Sequence, residues 1–481
     1  MAGYGRCLDV RADEGPNGRE SETAVSPNDA GRQKPRQLGL PLEARGEASK
    51  LRGSGEASTL ANGEERSGSD HLMEQVVARG NVRAALARVR ENRGSPGVDG
   101  MTVEELPQYL MQHWPEVRAQ LLAGTYQPKA VLRREIPKRD GGMRELGIPC
   151  VLDRLIQQAI LQVLQPRFDP TFSEHSYGFR PGRSAHDAVL AAQRYVQEGR
   201  RWVVDVDLEK FFDRVNHDVL MGRLVRRISD TRLLRLIRRY LNAGMMADGV
   251  VMERHEGTPQ GGPLSPLLAN LLLDEVDKEL EQRGHTFVRY ADDCNVYVRT
   301  QRAGERVMAA LERMYAKLRL KVNRAKSKVE LAVKCSLLSY SFWYGKGGAM
   351  KLRIAAPATH ALKQRVRLTT RRSGGRSVEQ VVAELRKYLP GWKEYFRLAD
   401  TPKVFSDHDK WIRHRLRALQ LKQWKRGSKV YAEMRRLGLS EMAAAQAASV
   451  NQRWWSRAAK LVHAGLTTRY YDRLGVPRLA D

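Results

Sequence analysis

Residues 287–298 read Phe287-Val288-Arg289-Tyr290-Ala291-Asp292-Asp293-Cys294-Asn295-Val296-Tyr297-Val298. Phe287–Tyr290 has the composition of one β-strand and Asn295–Val298 that of another. The two aspartates then fall in the tight turn of a hairpin. Adjacent carboxylates there repel each other unless they share a cation, and magnesium, which prefers oxygen ligands, meets that need. A third carboxylate from elsewhere in the chain would complete a two-metal centre for phosphoryl transfer. Two aspartates in a turn are equally an ordinary solvated surface turn, so the surrounding sequence has to decide.

The best candidate for the third acid lies upstream. Trp202-Val203-Val204-Asp205-Val206-Asp207 is a nearly continuous apolar strand that ends in acid. Asp207 sits at the strand end, where a metal has access. Asp205 falls on the same face by strand alternation and stands as its rival. A helix N-cap is the other common role for an aspartate placed there.

Composition narrows the partner. The chain has 481 residues, enough for two or three domains, and a formal net charge of +28. Residues 1–70 hold 10 Lys or Arg and 12 Asp or Glu, so the whole excess lies beyond them. A folded body that basic points to a polyanion, most simply nucleic acid. Cys7, Cys150, Cys294 and Cys335 fit neither metal-ligand spacing nor a disulfide framework, as in a reducing cytosol. No run of about 18 apolar residues predicts a membrane span, and no apolar leader is visible. The cytoplasm, or the nucleoid within it, is the expected location.

Residues 1–70 are rich in Gly, Ser, Ala, Glu and Arg and predict disorder, because they bury too little apolar surface to offset ordering entropy. From His71 the apolar positions recur at helical spacing, and a second amphipathic helix is predicted from Val103 to Leu122. Val131–Pro137 and Met143–Ile148 read as a strand pair around Asp140-Gly141-Gly142. Helices are predicted over Leu152–Leu164, Ala185–Tyr195 and, after a glycine turn at Gly261, to Leu280. Residues 371–376 read as a linker, and the chain beyond it as helical and basic to about Ala448.

Several further blocks occur in one order: Arg144-Glu145-Leu146-Gly147-Ile148-Pro149 with Asp153-Arg154; Tyr177-Gly178-Phe179-Arg180-Pro181-Gly182-Arg183-Ser184; Asp207 with Phe211-Phe212-Asp213; Gly257-Thr258-Pro259-Gln260-Gly261-Gly262-Pro263-Leu264-Ser265-Pro266; Tyr290-Ala291-Asp292-Asp293; and Lys326-Ser327. The ordered set resembles the reverse transcriptase of bacterial group II introns, the intron-encoded protein with maturase activity, over roughly residues 71–430.

The resemblance implies an α+β, right-hand polymerase. Fingers and palm, an antiparallel sheet with helices, would occupy residues 71–365, and an all-α thumb or maturase domain residues 378–430. A basic helical segment would follow at 431–481, for DNA binding or for packing on the thumb. It implies that Asp207, Asp292 and Asp293 bind two magnesium ions. Lys138, Arg144, Gln260 and Lys326 would lie around the incoming deoxynucleoside triphosphate, and Phe212 under its sugar. Arg180 and Arg183 would contact template or nucleotide. In the tail, Trp392, Tyr395, Phe396 and Trp411 read as packing. The basic residues between and after the aromatics, Arg413, Arg415, Lys425 and Arg426 among them, would form an outer face reading RNA phosphate. The implied partners are group II intron RNA, an RNA template with its DNA primer, and a DNA target. A splicing factor with little polymerase activity is the alternative, as is a reverse transcriptase serving a retron, a diversity-generating element or a CRISPR locus. The zinc-binding cysteines of the family's frequent endonuclease domain are not visible, which implies reliance on pre-nicked or single-stranded DNA for a primer.

Overall fold

The computed structural model describes residues 71–137, 143–247, 250–252, 256–258, 261–449 and 462–480. The expected disorder of residues 1–70, and the turn at 138–142, lie outside them. Cys150, Cys294 and Cys335 are free and buried.

The architecture is α+β, as expected. At its centre is a four-stranded antiparallel sheet of β3 (Trp202–Val206), β6 (Thr286–Tyr290), β7 (Asp293–Val298) and β8 (Lys328–Leu331), in the order β6-β7-β3-β8. Both faces are covered. Val204, Val206, Phe287, Cys294, Val296 and Val298 join one core, with α8 (Ser265–Gln282) and α9 (Gln301–Lys317). Val203, Val288 and Tyr297 point the other way into a second core, with α5 (Ala185–Gln197). Burial on two sides explains why Trp202–Val206 reads as an apolar run and not as an alternation.

Ahead of this sheet, β1 (Val131–Pro137) and β2 (Met143–Ile148) pair antiparallel over the predicted spans. Sequence inspection did not find the next two, β4 (Met245–Ala247) and β5 (Val250–Met252), which extend the sheet. The β1–β4 pairing is parallel, whereas β1–β2 and β4–β5 are antiparallel. Helices α1 (Leu72–Val76), α2 (Arg79–Glu91), α3 (Leu106–Ala123), α4 (Val151–Phe168), α6 (His217–Val225) and α7 (Thr231–Asn242) all contribute to the first core. Ser184 closes a capping box with Asp187 at the start of α5, so the end of the Arg-Pro-Gly-Arg-Ser block is a helix start.

A third small sheet follows, β9 (Ser336–Leu337), β10 (Tyr340–Tyr344) and β11 (Met350–Ile354), in the order β11-β10-β9. It leads into α10 (Ala356–Thr369), α11 (Val378–Tyr395), α12 (Pro402–Trp424), α13 (Gly427–Arg436) and α14 (Glu441–Ser449). The predicted linker separates α10 from α11. Trp392 and Phe396 are buried and Tyr395 and Trp411 partly so, all in the second core, as their reading as packing predicts. That core runs without a break from the α5 face of the central sheet into these helices. No helix among the described residues is long and apolar enough to cross a membrane.

Candidate active site

The hairpin is tighter than its sequence suggests. β6 ends at Tyr290 and β7 begins at Asp293, which pair with each other. The turn residues are therefore Ala291 and Asp292, and Asp293 is the first residue of a strand. Of the two, only Ala291 has a positive φ, 59°, the sign pattern of a II′ turn.

A buried arginine holds this turn in place. Arg289 is fully buried on the α8 side of β6, and all five of its N–H groups find acceptors. Nε donates to Asp277 Oδ1 at 2.8 Å, and Nη2 to Asp277 Oδ2 at 2.6 Å and Ser176 Oγ at 2.7 Å. Nη1 donates to Asn270 Oδ1 and to the Ala291 carbonyl, each at 2.9 Å. The same Asn270 donates to the Gly178 carbonyl at 2.9 Å. A Cβ at Gly178 would collide with the Ala291 backbone nitrogen, so glycine is what lets the 176–180 loop lie under the turn. These supporting residues escaped the sequence reading. The signal was present: a lone arginine in an apolar strand, and Asn270, Asp274 and Asp277 at helical spacing among the leucines of one helix.

Asp207 comes to the hairpin through strand register. Val206 pairs with Cys294 across β3 and β7, so Asp207, the next residue, leaves its strand near the start of β7, where its charge acts on Asp293. Asp207 lies just past its strand, not at a helix start. Its carboxylate accepts from Asn323 Nδ2 at 3.1 Å, its carbonyl from Asn323 N at 2.8 Å, and its own N–H donates to Ser327 Oγ at 3.0 Å. Asp205 pairs with Asn295 on one side and Lys328 on the other. Burial raises its carboxyl, which Lys328 pulls back down and Asp207 pushes up.

Asp293 is the most perturbed of the set, pushed up to about 7. Desolvation comes first among the causes, followed by the charges of Asp292, Asp205 and Asp207. Its side chain is nevertheless exposed, so the gathering of like charge is the cause that its surroundings best support. Among the described residues no three His, Cys, Asp or Glu side chains already converge as a ligand set. The hard oxygen donors and the mutual repulsion of these carboxylates nonetheless fit a divalent cation.

The chain also matches two family models in succession. Residues 136–360 match the reverse transcriptase (RNA-dependent DNA polymerase) model, and residues 359–438 the group II intron, maturase-specific domain. The chain belongs to the group II intron reverse transcriptase–maturase family. It is 40% identical to Protein YkfC of Escherichia coli (strain K12) over 193 residues, 39% of this chain and 51% of that one. It is 41% identical to the group II intron-encoded protein LtrA of Lactococcus lactis subsp. cremoris over 167 residues, 34% of this chain and 28% of that one. A putative COX1/OXI3 intron 1 protein of Saccharomyces cerevisiae is 32% identical over 204 residues, 42% of this chain and 24% of that one. The chain therefore spans about half the length of the first of these relatives and about a quarter of the others.

Within the reverse transcriptase domain the other expected contacts divide. Lys138 and Gln260 lie outside the described residues, and of Arg144 only the β2 backbone is described. Phe212 is half-buried, edge-on to Phe211 at 5.0 Å, and its carbonyl accepts from Thr258 N at 2.6 Å. The loop bearing Gln260 is thus tied at one end to Phe212. At its other end Gly261, with φ 134°, packs so close to β2 that a Cβ would meet the Gly147 carbonyl at 2.7 Å. That close approach is to protein. Lys326 is exposed in the 323–327 turn that cradles Asp207.

Two arginines expected to meet nucleic acid are corrected. Arg180 is buried, with Nε on Asp169 Oδ1 at 2.9 Å and Nη1 on the carbonyls of Ser173 and Ser176. It ties its own loop together. Arg413 is likewise buried and bridges Asp409 at 3.2 Å and Asp472 at 3.0 Å. Its interior neighbours fix it because α12 is covered by residues 462–480. Arg183 is partly exposed and bound to Glu174. Arg415 lies half-buried on the Trp411 ring and donates to Thr370 Oγ1 at 2.6 Å; burial, then Arg367 and Arg372, lower its pKa. Lys425 and Arg426 are exposed at the end of α12.

Proposed function

We propose that this chain is an RNA-directed DNA polymerase of a mobile group II intron that also assists the splicing of its intron RNA. The observation that supports the reading is the β3–β7 register, Val206 opposite Cys294, which brings the strand end that carries Asp207 to the end of the hairpin that carries Asp292 and Asp293. Asp207, Asp292 and Asp293 would hold two magnesium ions. When bound, such ions activate the primer 3′-hydroxyl and neutralise the triphosphate and its leaving pyrophosphate.

The chain's own part is to hold its groups still. Asn323 and Ser327 fix Asp207, and the Arg289 network fixes the turn, so the carboxylates need little reorganisation. Phe212, clamped through Thr258, is the ring that would exclude a ribose 2′-hydroxyl. Lys138, Arg144, Gln260 and Lys326 would receive the incoming deoxynucleotide. The substrates are an RNA template with a DNA primer, joined at integration by a DNA target, in the cytoplasm or nucleoid.

Splicing assistance is supported by the match of residues 359–438 to the maturase-specific domain, which also favours an intron over a retron or CRISPR setting. Primer extension on an RNA template with magnesium tests the polymerase. Wild-type protein should make cDNA and the Asp292→Ala variant should not. Synthesis that survives in Asp292→Ala would remove the assignment.

A further inference from the structure

Phe179 is 49% exposed and holds φ at 59°, a left-handed backbone that bulky side chains adopt only at a cost in free energy. Core burial does not offset that cost, because half the ring faces water. Glycine would relieve it, and glycine stands at both Gly178 and Gly182 in the same loop.

The ring cannot withdraw. On one side Gly178 is wedged beneath the Ala291 backbone and its carbonyl is held by Asn270. On the other, the Arg180 side chain is locked by Asp169 and by the carbonyls of Ser173 and Ser176. Between these anchors Phe179 projects beside Tyr290, ring centroids 6.4 Å apart and planes at 41°. Tyr290 immediately precedes the turn that carries Asp292. The result is a rigid, uncharged, apolar face at the rim of the carboxylate cluster.

We propose that Phe179 is a platform for the terminal nucleoside of the primer strand, seating the end of the duplex against Asp207, Asp292 and Asp293. This rests on the polymerase reading. The carboxylates are where the primer 3′ end reacts, so a ring fixed next to them meets that nucleoside first. An aromatic face accepts any base or sugar and reads no sequence, as a copying enzyme needs. A phosphate contact would call for a free cation instead, and the adjacent Arg180 is engaged internally.

The test compares wild type, Phe179→Gly, Phe179→Asn and Phe179→Tyr. The probe is an RNA–DNA primer–template carrying 2-aminopurine at the primer 3′ end, titrated in magnesium without nucleotide. Phe179→Gly and Phe179→Asn, which tolerate a positive φ, should keep or raise the melting temperature while weakening duplex-end binding about tenfold. The primer KM should rise with the deoxynucleotide KM unchanged, and Phe179→Tyr should behave as wild type. Wild-type binding by the Gly and Asn variants overturns the platform. So does a fall in melting temperature that tracks the loss of binding, or a Tyr variant as weak as Gly. Wild-type cDNA synthesis in the same preparations separates the two readings. No synthesis by wild type removes the polymerase itself, whereas normal synthesis with unaffected variants removes only the platform.

Discussion

The β6–β7 hairpin and the helices beyond Ser377 both contain charged side chains, and they treat them in opposite ways. In the helices Arg413 and Arg417 turn inward. Arg413 is matched by Asp409 and Asp472, and Arg417 donates to the Leu466 carbonyl at 2.7 Å. At the hairpin Arg289 is also buried and matched, by Asp277. Around it, however, Asp205, Asp207, Asp292 and Asp293 gather near one strand end, and their like charges help raise the carboxyls of Asp205 and Asp293. Buried charge that is fully matched is scaffold. Charge of one sign collected at an open rim is a place for something of the opposite sign.

The largest effect should come from breaking the rim. Asp207→Ala removes a positioned charge and should lower cDNA synthesis by ~10³-fold or more, with the melting temperature within about 2 °C of wild type. Intron RNA binding, which we propose the helical region carries, should be unchanged. If gel-shift affinity for intron RNA falls in parallel with synthesis, the two regions are not the separate devices that their charge handling indicates.

Breaking the scaffold should do the reverse, first to stability. Arg289→Met leaves Asp277 buried without its cation and should cost about 3–5 kcal/mol in urea unfolding. The Arg289→Met/Asp277→Leu double variant should recover much of that loss, because the uncompensated charge goes with the pair. Cooperative unfolding of the single variant at wild-type midpoint would show that the pair does not support the hairpin.

Legibility in the sequence followed the same division. The hairpin, the acid ending β3 and the strand pair β1–β2 were readable because turn chemistry and apolar runs act locally. Residues whose role depends on a distant partner were not. Arg180 and Arg413 sit among turn and helix residues that read as solvated, and only Asp169 and Asp472 reveal that they are interior. The short strands β4, β5 and β9 were missed because two or three residues carry no period. The sequence after 431 is compatible with DNA binding and with packing alike. Residues 462–480 pack, with Val462, Leu466, Tyr471, Val476 and Leu479 in the second core, while Arg453-Trp454-Trp455 lies outside the described residues.

The buried Asp153 sharpens the contrast because a proton does the work of a cation. Asp153 is buried on α4, where it accepts from the hydroxyls of Tyr126 at 2.9 Å and Tyr240 at 3.3 Å and from Lys129 N at 3.2 Å. Burial outweighs these bonds and pushes its carboxyl up to about 6. An unfolded aspartate titrates near ~3.9. The folded state therefore holds the proton more tightly. The stability from this group is complete below about pH 4 and is lost as pH rises through about 6. Relative to Asp153→Asn, wild type should lose about 2–3 kcal/mol across that window and be flat above it. A pH-independent difference between the two in urea unfolding would mean that Asp153 is charged in the fold and matched by a cation after all.

The smallest effect belongs to the exposed charges at the end of α12, and it decides what the helical region uses for RNA. Arg413 is enclosed, so Arg413→Ala should lower stability while leaving the salt dependence of RNA binding as it was. Lys425 and Arg426 stand in water with no role in the core. Replacing each with Ala should leave unfolding unchanged within about 0.5 kcal/mol. Each loss should instead reduce the slope of log affinity against log salt by about one, since one phosphate contact and its released counterion go with each charge. The readout is filter binding of intron RNA from low to moderate salt. A slope altered by Arg413→Ala and untouched by the two surface variants would put the RNA on a different face, because an arginine enclosed between Asp409 and Asp472 has no charge left to offer a phosphate.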